Sequence, residues 1–355
     1  MSTSLITGSS GLLGHCLIER LERRGESLRL LDLEPPAPGE RAGTHKFFRA
    51  DAGDVEALTR AAEGVEVIYH LAAAQRMKPQ FASWSEPEIF ERNLNGVRGV
   101  LQVAERCGVR KVVHLSSSGV YGIPRTNPVL EDHPKEPLGA YGRSKLQAEA
   151  LCQEAIARGL DVTIFRPMSL FGPQMTGVFV MLFEWVRLGL PVYMLGRGLN
   201  RVQTVSAWDV AEACILAARA PAAAGATFNL GSAPESVPTV LETVRALVAH
   251  AGTGSPVVRI PAALVRGAAR TLGLIGQSPI VPEHYRLADR DFILDIRAAR
   301  ETLGWAPEHD NTRMMLEAYD AYLKAGEDAR QPLHPMVHLL NRLVPLPLLR
   351  ALSRV

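Results

Sequence analysis

Leu5-Ile6-Thr7-Gly8-Ser9-Ser10-Gly11-Leu12-Leu13-Gly14 decides how this chain folds. The stretch reads as a short apolar strand, a glycine turn and the first turn of a helix. Its glycines are spaced Gly-x-x-Gly-x-x-Gly, with a threonine before the first. Gly8 lets the chain turn sharply at the strand end, where a positive φ is expected. Gly11 has no side chain, so a diphosphate can approach the backbone, and Gly14 lets the helix pack close to a sheet. The helix N-terminus, around Ser10, Leu12 and Leu13, then offers N–H groups and a partial positive charge to the phosphates.

Working outward, a helix is expected from Cys16 to about Arg24, stopped by Gly25. Ser27 to Leu31 is the second strand, and Asp32 stands at its end, about 20 residues past the glycine loop. A carboxylate there accepts hydrogen bonds from the adenosine ribose hydroxyls and repels a 2′-phosphate, which argues for NAD over NADP. His45 to Arg49 is the third strand. Asp51, next to Ala52, is either a surface turn residue or a contact to the adenine, and Asp54 caps the helix that runs to Ala62. Val67 to Leu71 is the fourth strand. Ala72, Ala73 and Ala74 follow it and leave room for a cofactor at the strand's C-terminal end. A helix from about Pro87 to Cys107 carries Asn93, and Val112 to Leu115 is the fifth strand. This alternation predicts βαβ units and a parallel sheet. Right-handed crossovers then align the glycine loop with the ends of strands four and five.

Strand five runs into Ser116-Ser117-Ser118-Gly119-Val120-Tyr121-Gly122, and a helix near Ala140 carries Tyr141 and Lys145. Residues four apart share a helix face. An ammonium beside a phenol favours the phenolate, so the reading expects Lys145 to lower the Tyr141 pKa. Such a tyrosine acts as acid or base on an alcohol or carbonyl, and the serine cluster supplies a hydroxyl for the same oxygen.

Composition narrows the classes. Over 355 residues the chain is 47% hydrophobic and 21% charged, the balance of a globular protein with a sizeable core. A net charge of +2 gives no argument for nucleic acid or an anionic surface. Cys16, Cys107, Cys152 and Cys214 show no metal-ligand spacing, so no metal is expected, and the setting reads as reducing and cytoplasmic. Neither a signal peptide nor a spanning helix is expected.

Together these residues resemble the extended short-chain dehydrogenase/reductase superfamily, of the NAD-dependent epimerase/dehydratase type. The likeness covers roughly residues 4 to 325. It runs through Thr7-Gly8-x-x-Gly11-x-x-Gly14, Asp32, Asp51-x-x-Asp54, His70-Leu71-Ala72-Ala73, Asn93-x-x-Gly96, Ser117 with Val120-Tyr121-Gly122, and Tyr141-x-x-x-Lys145. Later parts are Arg166-Pro167, Gly196-x-Gly198, Asp209-Val210-Ala211 and Leu303-Gly304-Trp305-x-Pro307. The resemblance implies an α/β fold: a Rossmann-type doubly wound parallel sheet with a smaller, mostly helical C-terminal substrate lobe. It divides the chain into an NAD-binding domain over 1–167, with interleaved segments near 200–230, and a substrate lobe over 168–330. It also implies a homodimer. Tyr141 would be the acid/base, Ser117 its hydroxyl partner, and Lys145 the holder of the nicotinamide ribose. Asn93 and Pro167 would lie near the cofactor.

Substrate contacts are expected among Ser118, Met168, Ser169, Phe171, Phe179, Arg201 and Gln203. The sequence departs from the family where substrate chemistry is set. Ser118 and Gly119 stand where dehydratases place Asp and Glu, which argues against water elimination. Met168 or Ser169, depending on register, stands where nucleotide-sugar enzymes carry Asn, with Ser169 the better match. Val202 holds the place of the phosphate-binding Arg, with Arg201 one residue early. The leading substrate class is a nucleotide sugar. The runner-up is a hydroxysteroid or other lipid alcohol, which the run Gly198 to Gln203 also suits. A third reading, a cofactor-binding regulatory protein without turnover, is opposed by the presence of Ser117, Tyr141 and Lys145 together.

Residues 331–355 form an apolar basic tail, with Arg342, Arg350 and Arg354 and no acid. It reads either as an element packed on the protein or as a peripheral membrane contact. On a bilayer, each arginine near anionic head groups is worth about 1 kcal/mol. Co-sedimentation with anionic vesicles separates the two readings: a membrane tail binds intact protein and releases a chain ending at Arg330. A packed tail gives equal sedimentation, and the shortened chain loses solubility.

Overall fold

The computed structural model describes residues 2–35, 45–75, 83–172, 178–261 and 286–326. Strand β1 (Thr3–Thr7) lies inside a seven-stranded sheet with β2 (Ser27–Asp32), β3 (Lys46–Arg49), β4 (Val67–His70), β5 (Lys111–Leu115), β6 (Val162–Pro167) and β10 (Thr227–Leu230). The spatial order is β10-β6-β5-β4-β1-β2-β3, and every pairing is parallel. All residues of β4, β5 and β6 are buried. A parallel sheet covered on both faces demands this, which is why these strands read as continuous rather than alternating apolar runs. The chain order reverses between β1 and β4, so a crevice opens beyond their C-terminal ends.

The two faces have separate cores. Helices α1 (Leu12–Arg23) and α6 (Ala207–Arg219) cover one, through Cys16, Leu17 and Leu21 against Val210, Ala213 and Cys214. Helices α2 (Val55–Ala62), α3 (Glu86–Cys107) and α4 (Ala140–Ala157) cover the other, through Leu58, Val97, Val100, Ala148 and Cys152. Helix α3 starts one residue before the expected Pro87. Ser85 and Glu88 close a capping box there, and Gly108 ends the helix at φ 66°.

The later chain differs from a plain helical lobe. Ser169–Phe171 forms β7, paired with β9 (Thr204–Ser206). Val257–Ile260 forms β11 beside β8 (Val192–Leu195), in a stretch expected to be helical. A third core joins α5 (Val178–Arg187), β8, α7 (Val240–Ala251) and α9 (Asn311–Lys324), through Phe183, Val192, Leu247, Met315 and Tyr319. Helix α8 (Arg297–Leu303) leads to Trp305, whose buried indole donates to the Asp209 carbonyl at 2.8 Å. Gln203, expected on a substrate wall, is instead fully buried: its amide donates to Ser232 O at 2.5 Å and accepts from Leu294 N at 2.8 Å. It pins the two later segments together. The basic tail lies outside the described residues. Among those described, no helix is long and apolar enough to cross a membrane.

One buried ion pair crosses from sheet to helix. Arg166 of β6 meets Glu149 of α4 in two hydrogen bonds, 2.8 and 2.7 Å. Ser116 donates to the same carboxylate at 2.5 Å, and Arg166 also donates to Tyr121 Oη at 2.8 Å. Removing one partner of such a pair strands the other charge. Arg166→Met should therefore cost about 3–5 kcal/mol in urea unfolding. The double variant Arg166→Met/Glu149→Leu should recover most of that loss, because no bare carboxylate remains.

Candidate active site

The glycine loop sits at the β1/β4 reversal. Gly8 has φ 77° and donates its N–H to Leu31 O at 3.0 Å. A Cβ on Gly8 would lie 2.5 Å from Ala72 N, and one on Gly14 would lie 2.5 Å from Gly8 O. Neither position admits a side chain. Gly11 differs: a Cβ there would have Gly8 O at 3.4 Å as its one close neighbour, so the loop is open at this point. Gly11 also caps α1 without a side-chain hydrogen bond, and the first turn holds no acid. The Leu13 side chain is buried in the core and Leu12 packs against it, so both present backbone to the crevice. An open glycine and a helix N-terminus with no acid in its first turn form a cradle that fits a diphosphate.

Asp32 ends β2 beside this loop. One carboxylate oxygen accepts from Ser10 N at 2.9 Å and Ser10 Oγ at 2.6 Å, and the other accepts from Leu33 N at 2.7 Å. The loop therefore fixes the acid's orientation. Asp51 is used as a turn and ion-pair residue: it accepts from Gly53 N at 2.7 Å and pairs with Arg92 at 2.5 Å. Ala52 packs towards α3, within reach of Gly96 and Gly99. Leu71 N continues the β1 ladder onto Thr7 O at 3.0 Å, and Ala72 and Ala73 are half-buried beyond it. Pro167 ends β6, buried opposite Leu230.

The chemistry-bearing side chains meet at the start of α4. Tyr141 lies in its first turn and Lys145 one turn further on. Ser117 and Gln75 both act on the Tyr141 phenol. Ser117 Oγ also accepts from Gly119 N at 3.1 Å, at the head of the short helical turn Ser118–Val120. A Cβ on Gly142 would lie 2.6 Å from Gly119 O, so only glycine lets α4 settle onto that turn. Asn93 does not face outward. Its amide accepts from Ala74 N at 2.7 Å and donates to Ala74 O at 3.1 Å and Ser144 Oγ at 3.2 Å. It braces the segment that carries Gln75 against α4. Sequence reasoning missed Gln75 and Gly142. Gln75 follows three alanines in an irregular stretch with no motif to mark it.

One expectation is corrected. Burial raises the Tyr141 phenol above its usual pKa, and the bonds from Gln75 and Ser117 only partly offset this. The Lys145 ammonium lies 5.8 Å from the phenol ring centre and donates to Leu115 O at 2.6 Å. It sits too far towards the sheet to govern the hydroxyl. In the free protein the phenol therefore keeps its proton at neutral pH.

The expected substrate contacts divide. Ser169 and Arg201 have exposed side chains. Arg201 N donates to Asp291 at 2.7 Å and its carbonyl accepts from Phe292 N at 2.8 Å, which fixes its backbone. Phe179 is half-buried with its ring 4.6 Å from that of Phe171. Phe171, Met168 and Ser118 are buried, and Phe171 belongs to the third core. Among the described residues no group of three or more His, Cys, Asp or Glu could hold a metal.

The NAD dependent epimerase/dehydratase family model matches residues 4–231. The chain is 36% identical over 324 residues to an uncharacterized protein, y4nG, of Sinorhizobium fredii, covering 91% of this chain and 79% of that one. It is 31% identical over 325 residues to a UDP-glucose 4-epimerase of Mycolicibacterium smegmatis, covering 86% of this chain and 93% of that one. Among solved structures, a UDP-glucose 4-epimerase of Thermotoga maritima with UDP-glucose superposes with a TM-score of 0.75 at 23% identity. That match covers 92% of this chain and all of the other, and it speaks for the fold.

The fixed Asp32 carboxylate generates a cofactor test. A 2′-phosphate would meet it as a like charge, so NADP should bind apo-protein at least about tenfold more weakly than NAD, or about 1.4 kcal/mol. Asp32→Ala should narrow that gap by weakening NAD. Titration of both dinucleotides reads this directly. Equal affinities in the unaltered protein would remove the role given to Asp32.

Proposed function

The chain belongs to the NAD dependent epimerase/dehydratase family and is an NAD-dependent enzyme, and we propose that it acts on a hydroxyl-bearing carbon of a nucleotide sugar as an epimerase. The observation that carries this reading is the grouping of Tyr141, Ser117 and Lys145 where α4 meets the end of β5. The similarity to the M. smegmatis UDP-glucose 4-epimerase, which extends along most of both chains, supports the substrate class.

In this proposal Gly8, Ser10, Gly11, Leu12, Leu13 and Gly14 hold the diphosphate of NAD through backbone groups, and Asp32 holds the adenosine ribose. NAD, when bound, supplies the hydride acceptor and donor. Tyr141 gives a proton to the substrate oxygen as a carbonyl is reduced, and takes it back as the alcohol is oxidised. Ser117 bonds the same oxygen and limits its movement. Lys145 holds the nicotinamide ribose. Arg201 is the cation for the sugar nucleotide's phosphates, since a guanidinium bonds them bidentately. Ser118, Ser169 and Phe179 complete the substrate contacts. A homodimer belongs to the same proposal, with 331–355 either packed on the protein or touching a membrane.

A hydroxysteroid is the alternative substrate, and one assay decides. Purified protein with NAD is offered UDP-hexoses and 3β-hydroxysteroids. Interconversion of UDP-hexose epimers without net NADH is the expected result. Steroid oxidation with NADH accumulation, and no action on UDP-hexoses, would assign the lipid branch. Tyr141→Phe should lose a factor of ~10² to 10⁴ in turnover with little change in NAD affinity, the usual worth of a positioned acid/base. Lys145→Met should damage both. Full turnover in Tyr141→Phe would take Tyr141 out of the mechanism.

A further inference from the structure

Register places three polar side chains in one row near the C-terminal edge of the sheet. Thr7 of β1 pairs with His70 of β4, and His70 with His114 of β5. Thr7 Oγ1 and His70 Nδ1 share a hydrogen bond of 2.7 Å. The imidazoles of His70 and His114 stack with centres 5.5 Å apart and planes 24° from parallel. His70 is 2% exposed and His114 1%.

The row ends without a partner. Neither ring nitrogen of His114 has a hydrogen bond among the described residues. Both rings are neutral. Burial, aided by the nearby Lys145 charge, pushes His70 down to about 3 and holds His114 well below its ordinary value. A neutral imidazole has one N–H donor and one lone-pair acceptor. Buried polar groups in this position are satisfied by internal water, which needs a polar site with several partners. Lys145 is the cation on this side of the sheet. It is 4% exposed, its charge acts on both imidazoles, and it donates to the carbonyl of Leu115, the residue after His114.

We infer that a buried water links the His114 ring to the Lys145 ammonium, and that His114 is thereby a positioning residue for Lys145, backed by His70 and Thr7. The inference rests on the role proposed above for Lys145 in holding NAD. The water accepts an N–H from the ammonium and bonds a His114 nitrogen, so the ammonium stays aimed along the strand end. An apolar ring at 114 would dry this site and release that hold.

The test uses the full chain and NAD. His114→Phe should raise the NAD Kd about tenfold, the scale of one hydrogen bond to a charged group. His114→Asn keeps a donor and an acceptor and should restore affinity. Lys145→Met/His114→Phe should bind NAD no more weakly than Lys145→Met, because the two act through one contact. Unchanged NAD affinity in His114→Phe, or a double variant weaker than Lys145→Met by the full tenfold, overturns the inference. Unchanged affinity in Lys145→Met would remove the role of Lys145 itself. In that case, or if His114→Phe does not fold, a crystal structure of the unaltered protein decides. A water within hydrogen-bond distance of both His114 and Lys145 upholds the link, and a dry ring overturns it.

Discussion

The buried pair of Arg166 and Glu149 is the constraint on which the site's geometry depends. Helix α4 brings both Tyr141 and Lys145, and it is tied to the sheet in the interior by this bidentate contact. The same arginine reaches Tyr121 and the Glu131 carbonyl, and Tyr121 donates to Asn229 of β10 at 2.7 Å. Ser116, one residue before Ser117, donates to Glu149. One charge pair thus fixes α4, the end of β5 and the seventh strand relative to each other. Two buried charges cost several kcal/mol each to desolvate, so such a pair is a poor source of net stability. Its value lies in direction: a bidentate fork accepts one orientation of α4 and rejects a helix rotated or slid by a residue.

The parts of the fold legible in the sequence were those written in backbone chemistry. The glycine spacing, the continuous apolar strands and the helix stops at Gly25 and Gly108 each reflect a local steric or hydrogen-bonding demand, so they can be read without knowing the neighbours. The clustering of Tyr141 and Ser117 was legible for a related reason: each sits at a fixed offset from a strand end or a helix start. Gln75, Gly142 and His114 were not. Gln75 matters because Asn93 braces its segment against α4. Gly142 matters because a turn from 23 residues earlier lies against it. His114 matters because register sets it beside His70. All three are products of long-range packing. Gln203 shows the opposite error: a polar residue near a motif looked like a substrate contact, yet two buried backbone groups claim its amide.

The corrected behaviour of Tyr141 follows from competition between desolvation and hydrogen bonding. Burial disfavours the phenolate, and Ser117 and Gln75 favour it. In the free protein burial wins, so the phenol keeps its proton. This suits a site that must both give and take a proton. A phenol far below its usual pKa would be a poor acid, and one far above it a poor base. The residual balance is then open to whatever charge enters the crevice, since a cation near the phenol shifts it towards ionisation. The ammonium's place near the carbonyl of Leu115, rather than against the hydroxyl, keeps that adjustment from being spent before a ligand arrives.

The two halves of the crevice are built from different materials. Towards the diphosphate the surface is backbone: an open glycine, helix N–H groups and strand ends, with Leu12 and Leu13 turned into the core. Such a surface tolerates little change, because a single methyl group at Gly8 or Gly14 would collide with main chain. Towards the substrate the candidates Ser169 and Arg201 are exposed side chains on fixed backbone. Exchanging those side chains alters shape and charge without touching the sheet or the cofactor cradle. A fold divided in this way can keep one hydride chemistry while its substrate changes. In the proposed function the family membership and the cofactor follow from the glycine loop and Asp32, whereas the choice between a sugar diphosphate and a lipid alcohol falls to side chains such as Ser169 and Arg201.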